Sequence, residues 1–203
     1  YVGGDARQSG IMQGEIVSEV IHADQGLDHN GDGKIQYVLL EGEAGHQDAI
    51  IRTDSVVRTI QGQGIYLEKL SYQFANWNRS QAENKMLQLI HQYGGDIELV
   101  LCNNDEMAMG AVDAYEDEGY PLEERPVIFG IDGLDGTLEA VKNGIIQGTV
   151  FNDRQGQAEQ IARLATDLFK GNALSGYDFV NERYIFLPYQ KVTISNVDTF
   201  MNR

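Results

Sequence analysis

Oxygen-bearing side chains recur at alternate positions through Asp28-His29-Asn30-Gly31-Asp32-Gly33-Lys34-Ile35-Gln36. That alternation lets a short bend of chain wrap a hard cation, because calcium is held by a shell of oxygen ligands. Gly33 stands where such a loop turns sharply, Lys34 offers its main-chain carbonyl, and Ile35 is an apolar anchor. These residues match the opening positions of an EF-hand calcium loop. The position that should carry the bidentate Glu is Leu39. The closing carboxylate must therefore come from elsewhere in the fold. The loop also runs into Tyr37-Val38-Leu39-Leu40, which reads as a strand rather than a second helix. The competing reading is a solvated Asp/Asn/Gly turn.

A second class of chemistry-bearing residues falls just after apolar runs. Gly45-His46-Gln47-Asp48 follows the strand Gln36 to Leu40, and Asn103-Asn104-Asp105 follows Ile97 to Leu101. Asp132 follows Val127 to Ile131, and Asn152-Asp153 follows Gly148 to Phe151.

The elements that must position these groups alternate. Asp5 caps a helix with Ile11, Ile16, Val17, Val20 and Ile21 on its apolar faces. A helix from about Gln47 to Gln61 shows Ala49, Thr53, Val56, Val57 and Ile60 on one face and stops at Gly62 and Gly64. A strand spans Leu67 to Tyr72, and Ser80-Gln81-Ala82-Glu83 reads as a capping box opening a helix to about Gln92. Asn104 to Tyr115 and Leu138 to Val141 are helical. Short apolar strands alternating with helices predict an α/β fold with a doubly wound parallel sheet. In such sheets ligands sit beyond the carboxyl ends of the strands, where the polar clusters fall. After Asn152 come a helix from Gln155 to Lys170, strands Arg183 to Leu187 and Lys191 to Ile194, and a short helix from Val197 to Met201.

The totals narrow the function. The 203 residues carry a formal net charge of −16, which repels phosphate backbones and argues against a nucleic-acid partner. With 42% hydrophobic residues the chain can build a core. The lone Cys102 excludes an internal disulfide and reads as a packed core residue. No apolar run is long enough to span a bilayer, and no signal peptide is visible. Tyr1-Val2-Gly3-Gly4 reads as a strand already in progress, so the chain is expected to be a fragment. Gly130, Gly133 and Gly136 miss the dinucleotide-binding spacing. Met107 and Met109 read as helix packing. No nucleophile has a positioned base, so no catalytic constellation is expected.

Five stretches in order resemble the periplasmic galactose/glucose-binding proteins of sugar ABC transporters. They are the calcium loop, Gly45-His46-Gln47-Asp48-Ala49, Asn103-Asn104-Asp105 with Met107-Ala108-Met109-Gly110, Phe129-Gly130-Ile131-Asp132, and Gly148-Thr149-Val150-Phe151-Asn152-Asp153. The resemblance implies a type I periplasmic-binding-protein architecture, with two α/β lobes joined by a hinge and sugar in the cleft. It implies that Glu98 completes a calcium site with Asp28, Asn30, Asp32, Gln36 and the Lys34 carbonyl, the Lys34 ammonium pointing to solvent. It implies sugar contacts from His46, Asp48, Arg52, Asn104, Asp132 and Asn152, with Trp77 lying against the C–H face of the pyranose. Each residue also has a plainer reading. Glu98 would be a strand-edge carboxylate, Asp48 and Arg52 a helix ion pair, His46 a cap, Trp77 a core residue, and the others helix caps or turn residues.

The resemblance further implies that residues 1–152 with 190–203 form the calcium- and sugar-binding second lobe. Residues 153–189 belong to the first lobe in that family, and the rest of that lobe is not in this sequence. The helix would then present Ile161, Leu164, Leu168 and Phe169 uncovered. A first-lobe partner chain, pairing of two copies through this helix, or its folding back on the remaining lobe would each resolve this. The expected protein is a calcium-stabilised binding protein, not an enzyme. It would hold D-galactose or D-glucose for the membrane component of an ABC transporter. Its expected location is periplasmic or extracellular, with a lipoprotein anchor as one option. With one stacking face and an acidic contact absent, sugar binding by this chain alone is expected to be weak or lost. The alternatives are the effector domain of a sugar-responsive repressor, which has little use for a calcium loop, and a hydrolase using Asp48 or Asp132 with His46.

Overall fold

The computed structural model describes residues 1–201, the side chain of Gln25 excepted. Four strands form a parallel sheet: β2 (Ile35–Glu41), β3 (Leu67–Phe74), β4 (Leu99–Cys102) and β5 (Val127–Phe129), in the order β3-β2-β4-β5. Bridges from Phe129 to Gly148 and from Asp132 to Phe151 attach β6 (Thr149–Phe151) beyond β5. Strand β6 pairs antiparallel with β8 (Gln190–Val192). β1 (Val2–Gly4) and β7 (Ile185–Leu187) make a separate parallel pair.

Alternating side chains of the sheet enter two cores, as the pleat dictates. Tyr37, Leu39, Leu99, Leu101 and Phe129 pack with helices α1 (Ala6–Ala23) and α2 (Gln47–Gly62). Val38, Leu40, Val100, Cys102 and Ile128 pack with α3 (Arg79–Tyr93), α4 (Asp105–Asp117) and α5 (Asp135–Lys142). Every residue of β2 is buried, as a strand covered on both faces requires. Helices on both faces of a parallel sheet make this the doubly wound α/β arrangement predicted from the sequence. Its winding reverses between β2 and β4, so a crevice opens past the carboxyl ends of those two strands. Gly10 lets α1 approach closely: a Cβ there would stand 2.7 Å from the Arg52 carbonyl oxygen.

Three local expectations are corrected. The capping residue of α3 is Asn78, whose Oδ1 accepts from the Gln81 amide at 3.0 Å, so the capping box at Ser80 does not form. Ile11 is 37% exposed, whereas Ile16, Val17 and Ile21 are buried, because α1 meets the sheet along a narrower stripe than the sequence suggested. The last helix is a short 3-10 turn, Val197–Thr199.

Helix α6 (Arg154–Lys170) lies against β1 and has no buried residue. Ile161, Leu168 and Phe169 are 50%, 59% and 93% exposed.

Candidate functional site

The loop from Asp28 to Lys34 sits at the amino end of β2, opposite the strand-end crevice. Its acidic and amide oxygens are held by the loop's own amides. Asp28 Oδ1 and Oδ2 accept from the Asp32 and Gly33 amides, Asn30 Oδ1 from Asp32, and Asp32 Oδ1 from Lys34. Gly31 and Gly33 take φ of 70° and 80°, which a side chain would oppose. Glu98, only 1% exposed, reaches the same bend. Its two oxygens accept from the His29 amide at 2.6 Å and the Gln36 amide at 2.9 Å. The Lys34 ammonium faces outward and pairs with Glu68 at 2.7 Å.

The donor set suits a hard cation, since it is all oxygen. Gln36 Oε1 is buried and without a hydrogen-bond partner, while its Nε2 donates to Asp32 Oδ2 at 2.9 Å. A buried acceptor without a partner, on a residue that bonds both Asp32 and Glu98, fits a cation ligand. Among the described residues, however, Asp28, Asp32 and Glu98 are not drawn into a metal-holding cluster of carboxylates. Their oxygens are engaged by main-chain amides and by the Gln36 side chain instead.

The second group lies beyond the carboxyl ends of β2 and β4. Arg52 is its centre. It is buried; Nη1 donates to the Asn103 carbonyl at 2.6 Å and Nη2 to the Tyr189 hydroxyl at 3.1 Å. Its Nη1 stands 4.0 Å from Asp132 Oδ1, and its guanidinium lies 5.7 Å from the Trp77 ring centre. Such a cation near an indole face is attracted to the ring quadrupole. Trp77 meets His46 edge-on, with ring centres 5.2 Å apart. Its backbone is unusual, with φ of 61° after Asn76 at 52°. For a bulky residue this is strain, held here by the surrounding fold. Trp77 packs on Gly42, where a Cβ would come within 2.2 Å of the indole.

His46 caps α2, its Nδ1 accepting from the Asp48 amide at 3.2 Å. With Nδ1 an acceptor, the neutral ring carries its proton on Nε2, which can donate to a ligand. Asn104 caps α4 through Oδ1 and donates from Nδ2 to the Trp77 carbonyl at 3.4 Å. Asn152 bonds to Asp132 and accepts from Gln157. Asp132 is pushed up from the usual carboxylate range by burial, against the opposing pull of Arg52 and Asn152. The structure thus gathers His46, Arg52, Trp77, Asn104, Asp132 and Asn152. It makes no ion pair between Asp48 and Arg52 among the described residues. Asp48 instead borders a groove of about 290 Å³ with Tyr1, Asp5, Tyr184 and Phe186.

Three residues of this region were not among the sequence candidates. Asn103 binds the Gly42 amide, Thr53 and Arg52 at once. Tyr189 anchors Arg52. Asp105 is wholly buried beneath Asp132. The sequence signalled Asn103 and Asp105 only as neighbours of Asn104; nothing local marked Tyr189.

The arrangement brings neutral and charged donors, a carboxylate acceptor and an aromatic ring together past the ends of β2 and β4. That set suits a polyol or sugar, whose hydroxyls both donate and accept and whose C–H faces are apolar. A match to the periplasmic binding protein domain family covers residues 1–173. The chain is 36% identical over 204 aligned positions to the D-galactose/methyl-galactoside binding periplasmic protein of Haemophilus influenzae, covering 99% of this chain and 60% of that protein. It is 32% identical over 167 positions to the xylitol-binding protein of Mycolicibacterium smegmatis, covering 82% and 44% respectively. Among solved structures it is similar to an ABC transporter solute binding protein from Bacillus halodurans with bound myo-inositol. There the TM-score is 0.81 and the identity 30%, over 98% of this chain and 62% of the other. The chain therefore spans about 60% or less of the length of these relatives.

Proposed function

The chain belongs to the periplasmic binding protein domain family, a family of substrate-binding proteins rather than enzymes, and from that premise we propose that it is the second lobe of a monosaccharide-binding protein. D-galactose or D-glucose is the favoured ligand. The observation that carries this reading is the convergence of Arg52, Asp132, Trp77 and His46 past the ends of β2 and β4. Arg52 and Asp132 would fix hydroxyl stereochemistry, His46 and the two asparagines would add donors and acceptors, and Trp77 would take the apolar face. The sugar would be passed to the membrane component of an ABC transporter, in the periplasm or an equivalent extracellular space. The relatives' greater length agrees with a second wall for the cleft. That wall would come from a further lobe or a partner chain, and closure would be a hinge motion with sugar as the bridge. Calcium, held by Asp28, Asn30, Asp32, Gln36, Glu98 and the Lys34 carbonyl, would be structural, since its loop lies at the far end of the strand.

Titration of Trp77 fluorescence tests the reading directly, as it is the sole tryptophan. D-galactose or D-glucose should perturb emission saturably, and ribose or myo-inositol should do so less. Arg52→Ala should abolish the response. With only part of the cleft present, affinity in the millimolar range is expected. A flat trace with both hexoses up to about 100 mM would overturn the sugar-site assignment for this chain.

A further inference from the structure

Asp132 occupies φ of 135°, a region that a residue with a side chain rarely adopts. Something must hold it there. The turn that carries it, Gly130 to Leu134, wraps around the carboxylate of Asp105. Asp105 Oδ2 accepts from the Leu134 amide at 2.8 Å, and the Gly133 amide also donates to this carboxylate. Its Oδ1 accepts from the Thr149 hydroxyl at 2.6 Å. The Asp105 amide in turn donates to the Ile131 carbonyl at 2.8 Å. Gly130 is pressed so close that a Cβ there would stand 2.2 Å from Oδ1. Residues on both sides of Asp132 are thus tied to Asp105, Ile131 through its main-chain amide and Gly133 and Leu134 through a side chain that has no solvent exposure.

We propose that Asp105 is a positioning residue for Asp132. Its buried carboxylate clamps the Gly130–Leu134 turn, forces the strained backbone, and so sets the Asp132 carboxylate against Arg52. A carboxylate accepting several hydrogen bonds can impose such a conformation because breaking the clamp would leave buried amides unpaired. The charged and titratable groups around it are Asp132 and Cys102. Asp132 in turn faces Arg52, Arg154 and Glu106. The effect on ligand binding rests on the sugar-site reading; the clamp itself does not.

The two parts separate in one experiment on Asp105→Ala and Asp105→Asn. Amide hydrogen exchange at Gly133 and Leu134 reads the clamp without any ligand. Exchange there should rise at least tenfold in Asp105→Ala, while Leu39 and Leu101 in the sheet keep their protection. Asp105→Asn should restore protection, since an amide oxygen still accepts from the turn and Thr149 can reverse its hydroxyl. Unchanged exchange at Leu134 in the alanine variant, or equal loss in both variants, would overturn the proposal. If the exchange results hold but the parent protein ignores D-galactose and D-glucose, the clamp stands and the sugar reading falls.

Discussion

Asp105 and Asp132 differ from the surface carboxylates in one physical respect: burial raises both, and Arg52 offsets it only at Asp132. Asp105 is raised to about 7, first by burial, then by Asp132; Thr149 and the turn amides pull the other way. Its pKa in the folded state therefore exceeds the ordinary value near 3.8 that it takes when unfolded. A group of this kind binds an extra proton in the native state between those two values. Its contribution to stability is full below the unfolded value and declines as pH rises through about 7. Asp132 shifts in the same direction, so the two act together. Asp105→Asn should thus gain in stability relative to the parent as pH rises from 5 to 8. Urea melts across that range check this; a difference that stays constant or shrinks would mean that Asp105 ionises freely in the folded protein. None of this was legible at the residue level in the sequence. Asp105 stood there as the third member of an Asn-Asn-Asp run, and only the fold shows Thr149 and Leu134 arriving around it.

Elements were far more legible than residues, because their signals are local and repeated. Helix α2 lies at Gln47–Gly62 against the expected Gln47 to Gln61, since apolar spacing and terminal glycines both mark it. The start of α3 was misplaced because Asn78 and Ser80 are both competent caps, and the strained turn at Asn76 and Trp77 decides between them. The loop before β2 was legible as a chemical pattern, and the fold brings Glu98 to it across a sequence distance of 69 residues from His29. If that loop takes calcium, the ion must stabilise the fold by mass action. At a hundredfold excess over Kd the gain is about 2.7 kcal/mol. For a chain of this size that corresponds to a rise in Tm of about 5–10 °C over a chelator-treated sample. Glu98→Gln should erase most of the difference, because one ligand charge is lost from beside the buried Gln36 oxygen. Equal melting temperatures with calcium and with chelator would reject the site.

At the scale of the whole molecule the sheet layer and the α6 region differ in how they are satisfied. The sheet has helices on both faces and a buried core on each side. Helix α6 has a terminal cap at each end, with Asp153 Oδ1 accepting from Gly156 and Gly171 in the left-handed conformation, yet buries none of its residues. Ile161, Leu164 and Leu168 recur at helical spacing, and Phe169 joins them almost fully in solvent. The sequence showed this stripe; what covers it was not legible, since no residue in the stripe specifies its partner. An apolar strip of that kind on a soluble chain drives association. The net charge of −16 opposes it, so association should strengthen as salt screens the repulsion. Light scattering after size exclusion should therefore give a mass above 22.6 kDa that grows with protein and salt concentration. Replacing Ile161, Leu168 and Phe169 together with lysine should return the monomer mass without changing the Trp77 environment, which lies on the sheet's own crevice. A parent protein that stays monomeric at high salt would show that the stripe is too small to pair unaided.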